Sequence, residues 1–224
     1  MVDLLAKHAC PILTVFPMAY SDYTAKQLTA LFQVRFEAAN LFEGKAQPVV
    51  PSAWLLESLQ KGQNMGFTTE KARSERLVTP ILIELADRNA HSFTVYSGME
   101  MNVDEELGLR GECDFILSHS SVQDFITAPM FHIVEAKKQD VERGTMQCAA
   151  QLIAAQRLNQ REGFSALQTL YGCATTGIEW RFLRLQSGLI TIDRQRYFLN
   201  QPDHLLGVLQ WIVEATRLPA QPLS

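Results

Sequence analysis

The chain predicts an α/β fold, a mixed β-sheet flanked by helices in a three-layer core with a helical N-terminal extension, and three observations carry that reading. Up to about residue 88 the apolar residues recur at spacings of three and four, and from Ser92 onward β-forming residues take over. Strand-like segments are then followed by a long amphipathic helix, more strands and a last helix, the succession of elements that builds helices against a sheet. At 224 residues and 47% hydrophobic content there is enough apolar material for one sizeable core.

The elements follow in order. After a loop over 19–23, Leu28, Leu31, Phe32, Phe36, Ala39 and Phe42 mark one face of an amphipathic helix over 24–45, with Gly44 as its stop. Pro48 and Pro51 break the chain, and Pro51 suits the first turn of a short helix over 52–61 that ends at Gly62. The next helix opens at Thr68 or Thr69 with Glu70 just inside and runs to Arg88, with Pro80 expected to kink or restart it. Strands are expected over 92–99, 110–118 and 130–138, then a helix over 142–160 with Met146, Ala149, Ala150, Ile153 and Ala154 on its apolar side. Strands over 167–175 and 178–185, joined through Thr176 and Gly177, a short strand over 189–192 and a helix over 203–217 complete the chain, leaving a soft tail over 218–224. The organisation expected is a helical extension over 1–62 and a second unit over 63–224, closely joined.

Composition narrows the setting. The apolar stretches are broken by charges and prolines, so no membrane span is expected, and the patch from Pro11 to Met18 does not read as a signal peptide. Cys10, Cys113, Cys148 and Cys173 are scattered among apolar neighbours without a CxxC pair, which fits buried thiols in a reducing cytoplasm. With 20 basic and 24 acidic residues the net charge is −4, which weighs against a general electrostatic coat for nucleic acid. It leaves room for an enzyme that meets phosphate only beside a divalent cation.

The chemistry concentrates in 111–151. Side chains alternate along a strand, so Glu112 and Asp114 share one face while Cys113, Phe115 and Leu117 take the other. Glu135 and Lys137 are likewise two apart in the next strand. If these strands pair, a carboxylate from each lies near one point, a donor set suited to a hard divalent cation such as Mg2+. A lysine beside it can orient a water and stabilise charge growing on a phosphoryl oxygen. Desolvation would lower the pKa of Lys137 and the two carboxylates would raise it; the sequence leaves that balance open.

Asp114, followed after twenty-one residues by Glu135-Ala136-Lys137, resembles the D…(D/E)xK pattern of the PD-(D/E)XK nuclease superfamily, with Cys113 where the family name has proline. The likeness spans roughly 68–200 and implies a restriction-endonuclease-like core. It further implies a glutamate on the helix before the sheet and a glutamine on the helix after it. Glu75 is the first choice for the former, with Glu70 close behind and Glu84 third; Gln147 fits the latter better than Gln151. On this reading Asp114, Glu135 and Glu75 bind Mg2+ or Mn2+, and Lys137 and Gln147 complete the catalytic set of a metal-dependent phosphodiesterase acting on DNA. Two other classes compete: a non-catalytic binding or assembly module on the same scaffold, and an N-terminal helical unit over 24–61 that binds a partner or dimerises the chain. His119, His132, Lys138 and Arg143 lie near the motif, where they could meet phosphate, but read first as ordinary solvated side chains, and Trp180 and Phe182 read as core rather than as a base-stacking platform. No Gly-rich phosphate loop, Ser-His-Asp arrangement or HExxH motif occurs.

Overall fold

A computed structural model describes residues 18–164 and 167–217. Its centre is a mixed eight-stranded sheet in the order β1-β7-β6-β5-β4-β3-β2, with β8 beside β6. Strands β2 (Thr94–Glu100), β3 (Glu112–Ser118) and β4 (Met130–Ala136) form an antiparallel meander. The long helix α5 (Val141–Arg161) then crosses over, and β5 (Thr169–Thr175) joins β4 in parallel. A crossover helix is what a parallel neighbour requires. β6 (Glu179–Gln186) and β7 (Leu189–Asp193) continue antiparallel through a tight turn at Ser187 and Gly188, both at positive φ as a two-residue hairpin turn demands. The short β8 is Tyr197–Phe198.

Helices cover both faces. On one side α2 (Ala53–Asn64), α4 (Thr79–Arg88) and α6 (Pro202–Ala215) pack around Phe42, Leu77, Phe115, Val134, Trp180 and Phe182. On the other, α5 lays Cys148, Ala149 and Leu152 against Ile116, Ile133 and Leu170, and α1 (Ala25–Phe32) adds Leu28. Cys113, Cys148 and Cys173 are free and buried, as expected of them; Cys10, the patch over 11–17 and the tail over 218–224 lie outside the described residues. No helix of the described residues is long and apolar enough to cross a membrane.

Two expectations are corrected. The helix expected over 24–45 ends at Phe32, where Gln33 takes a left-handed cap at φ 56°, and β1 (Arg35–Ala39) follows. The same residues carry a second periodicity, Val34 buried and Phe36 half-buried two apart, and a parallel ladder to β7 from Arg35↔Leu189 to Ala39↔Asp193 selects it. Among the described residues, 18–62 do not form a separate helical extension: they supply an edge strand, and Leu41, Phe42, Leu55 and Leu59 enter the core. Around Pro80 the expected restart occurs without a non-helical gap. α3 (Glu70–Arg73) runs through a π-helical turn, Ser74–Val78, into α4, with the Thr79 N–H reaching back five residues to Ser74 O. Widening the helix by one residue just ahead of the proline accommodates the ring and its missing N–H.

Candidate active site

β3 and β4 meet at Phe115↔Val134, so the next pair sets Asp114 beside Glu135. The Ala136 N–H donates to Asp114 Oδ2 at 2.7 Å, fixing that carboxylate against the end of β4. Glu135 is only 2% exposed. Its Oε1 takes Lys137 Nζ at 2.7 Å, and its Oε2 accepts from Gln151 Nε2, also at 2.7 Å, donated down from α5. Lys137 leaves the strand while its N–H still bonds Thr175 O at 2.7 Å, which anchors it to β5. From the helix before the sheet, Glu70 Oε1 accepts the Lys138 N–H at 3.1 Å. Gly144, in the first turn of α5, makes room for the lysine: a Cβ there would stand 2.9 Å from Lys137 Cγ and 3.1 Å from Ala174 Cβ.

Burial and repulsion dominate the electrostatics. Desolvation first, and the Asp114 charge second, push Glu135 up to about 7 against the opposing pull of Lys137 and Gln151. Asp114 also titrates high, burial outweighing the Ala136 N–H, Lys137 and its contact with Glu135, with Glu70 adding to the rise. The balance left open for Lys137 resolves upward: burial pulls the ammonium down, but Glu135, through charge and hydrogen bond, with Glu70 and Asp114, more than restores it. Lys137 thus gains from the pairing, while one lysine does not compensate two buried carboxylates.

Of the expected residues, Asp114, Glu135 and Lys137 come together. Glu75 does not join them. Its side chain is 58% exposed and faces Lys71 at 3.9 Å along the helix, because the five-residue step from Glu70, within a turn widened to π geometry, points the two glutamates apart. Glu70 is the helix glutamate at the site. Glu84 belongs to the far layer, buried against Ser52 and Arg88, where it holds the start of α2. Gln147 is buried one turn from Gln151, yet its Oε1 meets no partner and Gln151 is the glutamine that reaches Glu135. His119 stacks on Phe131 at 4.2 Å, and His132 is wholly buried beside Phe182, so neither is a solvated side chain; Lys138 and Arg143 are exposed. The sequence reading missed Gly144, whose need shows only once α5 is laid over Ala174.

Among the described residues no group of three or more His, Cys, Asp or Glu side chains converges on a metal position. Asp114 and Glu135 nevertheless fit a Mg2+ site, since that ion is held by one or two carboxylates and fills its octahedron with water and substrate oxygen. The local charge fits as well: Asp114, Glu135 and Glu70 face a single Lys137, a surplus of carboxylates that a divalent cation would neutralise. No protein-family model, curated protein or solved structure matches the chain.

Proposed function

We propose that the chain is a metal-dependent phosphodiesterase that hydrolyses DNA, with Asp114 and Glu135 holding Mg2+ or Mn2+. The observation that carries the reading is the convergence of Asp114, buried Glu135 and Lys137 at one end of two adjacent strands, with their carboxylates held high. Perturbed titratable groups gathered at one point mark sites of chemistry more often than sites of packing. The succession of the helix over 70–88, β2, β3, β4, α5 and β5, with the acid on the second strand and the glutamate-lysine pair at the end of the third, supports a restriction-endonuclease-like arrangement.

A bound divalent ion would acidify a water and offset charge on the phosphoryl oxygens. Lys137, kept protonated and tethered to Glu135, donates hydrogen bonds to the attacking water or to the oxygen that gains charge. Gln151 fixes the rotamer of Glu135, and the Ala136 N–H fixes Asp114, so both carboxylates wait in place. Glu70 ties the strand end after Lys137 to the preceding helix.

Purified protein is expected to nick plasmid DNA or degrade single strands with Mg2+ or Mn2+ and not with EDTA, and Lys137→Ala and Glu135→Ala are each expected to lower the rate by at least about a hundredfold. Cleavage that persists in both variants rejects this site.

A further inference from the structure

The inference rests on the phosphodiesterase reading and concerns what flanks its centre. The pairing registers set five residues in one row across the sheet. Asp114 stands beside Glu135, Glu135 is opposite Ala174, Ala174 is opposite Arg181, and the Trp180↔Tyr197 pair brings Arg196 next to Arg181. Adjacent strands lie about 4.8 Å apart, so the backbone of Arg181 is about 10 Å from that of Glu135. Only the small Ala174 lies between, and the first turn of α5 descends on it at Gly144. That turn touches both halves of the row: Lys137 packs on Gly144, and the two arginines meet Glu142.

Two guanidiniums side by side repel, and Arg181 has further burdens. Its Nε is buried without a hydrogen-bond partner. Burial, then Arg196, draws it below the usual guanidinium range. Carboxylates hold the pair together: Glu179 bonds Arg196, and Glu142 bridges both, at 2.8 Å from Arg196 Nη2 and 3.6 Å from Arg181 Nη1. The Glu142 side chain is 65% exposed, so it can swing into water at small cost. A backbone phosphodiester likewise presents two anionic oxygens sharing one negative charge, and a guanidinium fork matches them in two hydrogen bonds.

We propose that Arg181 and Arg196 form a phosphate-binding subsite that holds the DNA backbone beside the cleavage centre, with Glu142 occupying it as a carboxylate stand-in that phosphate displaces. The separation of about 10 Å suits phosphates a few nucleotides from the scissile one, since charges along a strand repeat every ~3.4 Å of duplex axis. A chain of net charge −4 needs such local recognition, having no general basic surface.

The test is fluorescence anisotropy of a labelled DNA strand of about 20 nucleotides, and of its duplex, titrated with the full chain in EDTA at several salt concentrations, so that binding is read without turnover. Arg181→Gln and Arg196→Gln are each expected to weaken binding about tenfold and to lower the slope of log affinity against log salt by about one. Glu142→Gln is expected to tighten binding about threefold, whereas Glu57→Gln, an equally exposed helix acid paired with Lys61 on α2, leaves it unchanged. Arginine variants that bind as the parent does, or Glu142→Gln binding no tighter than Glu57→Gln, overturn the subsite. If the arginine variants do not fold, the comparison of the two glutamate variants decides alone. The two readings fail separately: the expected binding pattern without Mg2+-dependent cleavage rejects catalysis and keeps the subsite, cleavage with arginine-indifferent binding does the reverse, and a parent that neither binds DNA in EDTA nor cleaves it with Mg2+ rejects both.

Discussion

Glu135→Gln is expected to stabilise the metal-free protein at alkaline pH. The carboxyl titrates at about 7 in the folded chain against a reference of 4.5, so the folded state binds the proton more tightly than the unfolded state. The sign follows: stability from this group is complete below about pH 4.5, falls as pH rises through the window up to about 7, and then levels off. At about 1.4 kcal/mol per pH unit the loss approaches ~3 kcal/mol. Glutamine has the shape of the protonated carboxyl and does not ionise, so it keeps the low-pH level throughout. The uncompensated Lys137 is common to the amide and to the protonated acid, and cancels. Urea unfolding in EDTA is expected to show the two proteins within about 1 kcal/mol of each other near pH 5 and the variant ahead by up to ~3 kcal/mol near pH 8. In a chain of this length that raises Tm by roughly 6–12 °C. A variant less stable than the parent near pH 8 would show that Glu135 serves the fold as a stabilising ion-pair partner, and would refute the argument from burial and Asp114.

Two further substitutions probe the shell around that carboxylate. Gly144→Ala gains up to about 1 kcal/mol of helix propensity but drives a methyl to 2.9 Å from Lys137 Cγ, so folding stability is expected to stay within about 2 kcal/mol of the parent while DNA cleavage drops at least tenfold; an active Gly144→Ala protein contradicts the placement of the lysine. Gln151→Ala leaves an oxygen of Glu135 unsatisfied and is expected to cost about 2 kcal/mol in urea unfolding near pH 8, and less near pH 5 where the acid is protonated. Gln147→Ala removes an oxygen that pairs with nothing and should cost no more than about 1 kcal/mol; the opposite order of the two glutamines would return the role to Gln147.

The elements whose pattern is local were legible in the sequence. The strands β2 to β7 and the helices α5 and α6 fall within a few residues of where periodicity and breakers put them, because alternation and three-four spacing reflect burial that each segment meets by itself. The residues over 34–39 carry both periodicities, and only the free edge of β7 decided between them. Pro80 announced a kink or restart, and the form it takes, a π turn with Leu77, Ile81 and Leu85 all in one core, was not legible.

At the site, the sequence by itself placed Glu135 and Lys137 on a shared face, because a two-residue spacing on a strand fixes that face whatever the partner, whereas the β3–β4 register set Asp114 beside Glu135. The sequence also determined that the helices before and after the sheet offer a glutamate and a glutamine. Which glutamate and which glutamine depended on helix phase and on how α3 and α5 sit over the strand ends, quantities set by packing and by the π turn. Tertiary structure alone chose Glu70 over Glu75 and Gln151 over Gln147, and it alone brought Arg181 and Arg196 into the row of Asp114 and Glu135. Strand register joins residues far apart in the chain, and no local pattern records it.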